Sequence, residues 1–131
     1  MNLDRLHAGL PVSRAGAAVA AARAGLIMLH GRGAMAADIL FLANELDVRQ
    51  VAVLAPQAAN ATWYPNRFIA PVASNEPWLT SALQVVDGLV QMLAEGGLGA
   101  ERVFVLGFSQ GGCLALEYAA RVLSPEDVAW L

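Results

Sequence analysis

The apolar run Val103-Phe104-Val105-Leu106 breaks at Gly107-Phe108-Ser109-Gln110-Gly111 and resumes as a helix-like stretch from Cys113 to Arg121. A serine between two glycines, after a buried strand and before a helix, has few ways to fold. Strand and helix crowd together at such a corner, so residues without side chains are needed on either side of it. Ser109 is then carried at the tip of a tight turn, with the amides of the following helix aimed toward it. This pattern predicts a nucleophile elbow, in which Ser109 Oγ attacks an acyl carbon. The competing reading is a serine that caps a helix after a glycine-rich turn.

The elements upstream alternate in a way that supplies a sheet for this corner. Ala24 to His30 is a short continuous apolar run that ends in Gly31-Arg32-Gly33, the pattern of a buried strand leaving through a tight loop. Ala36 to Leu46 places Ile39, Leu40, Ala43 and Leu46 on one helical face, and Val51 to Ala55 is a second strand closed by Pro56. Right-handed crossover makes these two strands parallel neighbours. From Gln57 to Asn75 runs a long irregular connection containing Trp63-Tyr64-Pro65, Phe68 and Pro71. Pro77 then falls in the first turn of a helix whose Leu79, Ala82, Leu83, Val86, Val90 and Leu93 repeat at helical spacing until Gly96-Gly97. The expected fold is α/β: three layers around a central parallel sheet, the three strands in the order second, first, third, with the elbow after the third.

Residues 1–23 show no strong period and are expected to be a leader draped over a single domain spanning 1–131, with His7 solvated. At the far end Ser124-Pro125 reads as a helix start.

Composition narrows the function. Hydrophobic residues make up 57% of the 131 and charged ones 15%, which suits a parallel sheet covered on both faces. The net charge of −3 provides no basic patch, so nucleic acid is not an expected partner. No uncharged apolar stretch is long enough for a membrane span. The alanines from Ala15 to Ala22 are preceded by Asp4 and interrupted by Arg23, unlike a signal peptide, and Cys113 has no cysteine to pair with. Both point to the cytoplasm. Cys113 itself is expected to be a small core residue.

Two loops thus leave the carboxyl ends of parallel strands, where open α/β sheets bind ligands. One carries His30-Gly31-Arg32-Gly33 and the other Ser109-Gln110. An elbow enzyme takes one oxyanion donor from the residue after the nucleophile and one from such an early loop, so the backbone amides of Gln110 and Arg32 are the expected pair. Gly31-x-Gly33-x-x-Ala36 also approximates a dinucleotide fingerprint, but the second strand ends Leu54-Ala55-Pro56-Gln57 without the acidic residue that would hold a ribose.

Taken together, Leu29-His30-Gly31-Arg32-Gly33, Leu54-Ala55-Pro56, Trp63-Tyr64-Pro65, Asn75-Glu76-Pro77 and Gly107-Phe108-Ser109-Gln110-Gly111 resemble, in content and order, the phospholipase/carboxylesterase family of α/β-hydrolases, which includes acyl-protein thioesterases. The resemblance runs from about Ala24 to Arg121. It implies hydrolysis of carboxylic esters or thioesters with no cofactor and no metal, Ser109 as nucleophile, and His30, Gly31 and Gly33 shaping the oxyanion loop. Trp63 and Tyr64 would line the acyl pocket or simply pack the long loop. Members of the family add an Asp and then a His after the elbow helix, whereas here Ser109 is followed by Glu117, Glu126, Asp127 and no histidine. His30 is a candidate base by position, but in the family that histidine belongs to the oxyanion loop. The expectation is an α/β-hydrolase portion that stops before its triad Asp and His. The alternative is a non-catalytic module that binds an acyl ligand or a protein. An open sheet edge beside the elbow strand could also pair two copies into a homo-oligomer.

Overall fold

A computed structural model describes residues 6–121, so the helix start read at Ser124-Pro125 and the carboxylates of Glu126 and Asp127 lie outside the described residues. Four strands form one sheet: β1 (Val12–Gly16), β2 (Ala24–Leu29), β3 (Val51–Pro56) and β4 (Val103–Gly107), in the order β1-β3-β2-β4. β2 lies parallel to both β3 and β4. The expected order of the three apolar strands is therefore present.

The parallel sheet of the sequence reading needs one correction. β1 adds to β3 antiparallel, with Val12 opposite Pro56 and Gly16 opposite Ala52, so the sheet is mixed and the elbow follows its fourth strand. Residues 12–16 are thus an edge strand within what was read as a leader. The strand escapes a sequence reading because only Val12 and Ala15 pack inward, against opposite faces, while Arg14 stays exposed.

Helices cover both faces of the sheet. Leu26, Met28, Val53 and Ala55 pack toward α1 (Ala36–Leu40), whereas Ile27, Leu29 and Leu54 pack toward α2 (Trp78–Glu95) and α3 (Gln110–Arg121). Alternate residues of β2 thus serve opposite layers, which is why that strand is apolar throughout. At the start of α1 the Met35 N–H donates to Asp38, and the Ala36 N–H donates to Gln57 Oε1 just beyond β3. α1 tightens into a 3₁₀ stretch at Phe41–Glu45, and Leu46 falls outside the helix in extended backbone and is exposed. Ile39 and Ala43 are the buried residues of the expected face.

α2 follows its predicted apolar spacing, with Leu79, Ala82, Leu83, Val86 and Leu93 buried and Pro77 at the cap. Its carboxyl end closes as a Schellman motif: the Leu98 N–H donates to Leu93 O at 2.8 Å and the Gly97 N–H to Ala94 O at 3.0 Å. Leu98 is buried with Leu93 in the same core. This turn returns the chain to the sheet at β4 and brings the elbow to its place.

Candidate active site

The register of β2 and β4 decides where the two loops emerge. Leu29 pairs with Gly107, so residues 30–33 and 108–110 leave the sheet side by side. The loops touch: a Cβ added to Gly31 would lie 3.5 Å from Ser109 Cβ and 3.2 Å from Phe108 O. Ser109 is exposed and has a φ of 54°, a left-handed backbone that a non-glycine residue adopts only under strain. The flanking glycines are required by contact. A Cβ on Gly107 would overlap the backbone of Gly111 and Gly112, and one on Gly111 would overlap the carbonyls of Leu29 and His30.

Arg32 is exposed, while Gln110, the first residue of α3, is buried. The hydrogen bonds of the described residues leave the N–H groups of both without a protein acceptor. Their side chains, by contrast, both bond to one stretch of the long connection. The Arg32 guanidinium donates to Pro65 O at 2.9 Å and to Asn66 O at 3.1 Å. Gln110 Oε1 accepts the Trp63 N–H at 2.8 Å, and its Nε2 donates to Tyr64 O at 2.8 Å and to Thr62 Oγ1 at 3.2 Å. The Gly33 N–H donates to Ala61 O at 2.7 Å, which fastens the early loop to the same stretch.

Two buried histidines hold this connection from below. The Ala58 N–H donates to His30 Nε2 at 3.0 Å, so that nitrogen is the bare one and the proton sits on Nδ1, which donates to Gly31 O at 2.8 Å. In His7 the roles are exchanged. Its Nδ1 accepts the Ala59 N–H at 3.0 Å and its Nε2 donates to Trp63 O at 2.8 Å. Burial lowers the pKa of both rings, consistent with neutral imidazoles. His7 is 2% exposed, which overturns the expectation that it is solvated; its partners lie more than fifty residues away in sequence. Since each lone pair already accepts a backbone N–H, neither ring in this arrangement is available to take a proton from Ser109.

Trp63 lies between these rings, with centroids 5.4 Å from His7 and 5.0 Å from His30, and donates its indole N–H to His30 O at 2.9 Å. Trp63 is fully buried and Tyr64 nearly so, which places both in the core beneath the loops. The Tyr64 hydroxyl has no hydrogen-bond partner among the described residues, and burial pushes its pKa up to about 12. Cys113 is partly buried on α3. Among the described residues no cluster of His, Cys, Asp or Glu is placed to hold a metal ion.

The side-chain roles of Gln110, Arg32 and His7, and the buried Asn75 that accepts the Asn66 N–H at 2.8 Å, were not part of the sequence reading. Nothing in the local pattern signals the roles of Gln110, Arg32 and His7, because each acts on residues distant along the chain.

Comparison with known proteins supplies the remaining context. The sequence model described as Phospholipase/Carboxylesterase matches residues 17–125. A phospholipase/carboxylesterase from Dyadobacter fermentans DSM 18053 is 43% identical and superposes with a TM-score of 0.84 over 88% of this chain and 56% of that one. Esterase PE8, at 24% identity, shares the fold with a TM-score of 0.67 over 86% of this chain and 58% of its own. The chain therefore spans little more than half the length of either structure. A search of curated proteins returned no match. With a family match across most of its length and the elbow architecture described above, this chain belongs to the phospholipase/carboxylesterase family and has an α/β-hydrolase-like fold.

Proposed function

We propose that the chain carries the acylation site of a serine hydrolase acting on carboxylic esters or thioesters, with Ser109 as the nucleophile. The observation that supports this most is the exposed Ser109 at φ 54°, with the amides of Arg32 and Gln110 on the two adjoining loops having no protein acceptor among the described residues. In the proposed step, Ser109 Oγ bonds to the acyl carbon while its proton passes to a base. The carbonyl π electrons move onto oxygen, and the negative charge is received by the two amides at the positive end of α3. Collapse expels the alcohol or thiol, which takes up a proton, and water then hydrolyses the acyl-serine. Family membership implies the hydrolase class; the choice of ester is part of the proposal.

The base is the open element. The sequence has two histidines, His7 and His30, and both lone pairs are committed to backbone amides. The proposal places the proton acceptor outside these 131 residues, in agreement with a chain that spans about 56% of its structural relative. The same histidine geometry favours a second reading, a hydrolase-like module that binds an acyl ligand without turnover. A cytoplasmic location is part of the proposal under either reading; separately, among the described residues no helix is long and apolar enough to cross a membrane.

Hydrolysis of p-nitrophenyl butyrate by an assembly that adds a proton acceptor to this chain, with Ser109 intact or as Ser109→Ala, separates the readings. Turnover that falls by on the order of 10³-fold in the variant supports a serine hydrolase whose base is supplied within the assembly tested. Equal rates, together with calorimetric binding of the ester, support the binding module.

A further inference from the structure

Both residues expected to receive the oxyanion through their backbone also send their side chains to the same five-residue stretch. Gln110 grips the upstream part through Thr62, Trp63 and Tyr64, and Arg32 grips the downstream part through the carbonyls of Pro65 and Asn66. No direct hydrogen bond joins the two donor loops to each other among the described residues, apart from the Phe108 N–H to Leu29 O at the end of the strands. The stretch is itself anchored on both sides. Trp63 is pinned by His30 O and by His7, and Asn66 by Asn75 and Ser74.

We propose that Thr62–Asn66 is a brace that sets the spacing of the Arg32 and Gln110 amides, and that the side chains of Arg32 and Gln110 are positioning groups acting through it. Oxyanion stabilisation depends on donors held at hydrogen-bond distance from a charge that exists only in the transition state, so sub-ångström drift of either amide weakens it. A five-donor guanidinium spanning two adjacent carbonyls and a carboxamide meeting both an N–H and a C=O are geometrically restrictive contacts. Gln110 is 7% exposed, so an unpaired end would be costly and its grip is strong. This inference rests on the serine-hydrolase reading for its catalytic consequence; the mechanical coupling it describes stands apart from that reading.

The coupling is tested by amide hydrogen exchange on the 131-residue chain, followed by NMR in Gln110→Met and Arg32→Met. Two reporters sit on opposite loops: the Gly33 N–H, bonded to Ala61 O, and the Gly111 N–H, bonded to Phe108 O. The brace predicts crossed effects. Gln110→Met speeds exchange at Gly33 and Arg32→Met speeds it at Gly111, each by about tenfold, while Ile27 and Leu54 in the sheet change little. Effects confined to the substituted residue's own loop, or equal acceleration at Ile27 and Leu54, overturn the proposal. Should Gln110→Met fail to fold, Thr62→Val removes one of the carboxamide's partners while keeping both donor residues, and it must speed exchange at both Gly33 and Gly111. In any assembly with Ser109-dependent hydrolysis of p-nitrophenyl butyrate, Arg32→Met must lower kcat by about tenfold with KM nearly unchanged, and Arg32→Lys must recover part of it. A change in KM alone overturns the positioning role. Absence of any Ser109-dependent turnover removes the hydrolase reading, while crossed exchange still upholds the brace.

Discussion

The two sides of β4 are built from the same apolar pentapeptide and end in opposite conditions. On its inner side the strand pairs with β2, and its carboxyl end enters a cluster where, among the described residues, the buried side-chain polar atoms other than the Tyr64 hydroxyl have partners. On its outer side the described residues offer no neighbouring strand, and Phe104 is 55% exposed. Phe108 at the elbow and Leu116 on α3 are also exposed, at 68% and 74%. A groove of about 560 Å³ lined by Leu26, Leu46, Val48, Phe104 and Leu106 runs beside β4. Compare β2, where Ile27, Met28 and Leu29 are fully buried. Hydrophobic sequence is thus permission for burial, and the supply of neighbours decides whether burial happens. The elbow end is held by specific polar contacts and close backbone approach, whereas the outer edge is held by little besides its own strand.

The strongest way to break this contrast is Gly111→Ala. The new methyl would overlap the carbonyls of Leu29 and His30, both backbone and unable to yield, so α3 must retreat from β2. A loss of about 3 kcal/mol or more is expected, read as a fall in urea midpoint, with the elbow opening first. An unchanged midpoint would mean that the close approach at the elbow is not a constraint.

Acid should act on the same end and spare the outer edge. Both His7 and His30 have pKa values depressed by burial, so in the folded chain they resist protons that the unfolded chain accepts near pH 6.5. Unfolding then takes up protons below that pH. The stability these rings contribute is complete above about pH 6.5 and is lost as pH falls, because the unfolded state binds more protons. Asp38, which raises the His30 pKa, limits the loss at that ring. Urea midpoints at pH 7.5 and pH 5.5 should differ, with Ala58 and Ala59 amide exchange accelerating before that of Val105. A His7→Gln variant should flatten the dependence. A pH-independent midpoint would contradict the neutral, lone-pair-accepting geometry of both rings.

The smallest expected effect on stability is at the edge itself. Phe104→Thr removes exposed apolar surface and places a β-branched, strand-favouring residue at the edge, so the midpoint should move by less than about 1 kcal/mol. Any self-association through this edge, read by sedimentation velocity over a concentration series, should fall. Unchanged association with a large stability loss would show that Phe104 is packed and that the contrast between the two sides is false.

Much of the fold was legible because its signals are local. Continuous apolar runs closed by Gly or Pro marked β2, β3 and β4, helical spacing marked α2, and crossover handedness ordered the parallel strands. The elbow was legible for a stricter reason. Gly107 and Gly111 stand where any side chain meets backbone, and a serine held between them has one compact arrangement. β1 was not legible, since an edge strand with an exposed Arg14 shows no clean alternation. His7 was misread as solvated for a related reason: its burial depends on Ala59, Trp63 and Ser81, none of which lies near it in sequence.

By itself, then, the amino-acid sequence determined β2, β3, β4 and α2, the order of the parallel strands and the corner that exposes Ser109, because those follow from residues within a few positions of one another. Only the tertiary structure decided the tautomers of His7 and His30 and brought the side chains of Arg32 and Gln110 onto Thr62–Asn66. Those outcomes depend on hydrogen bonds between groups some thirty to seventy residues apart, such as Arg32 to Pro65 and the His7 N–H to Ser81. No periodicity records such a pairing, since burial and proximity exist only after the chain has closed on itself.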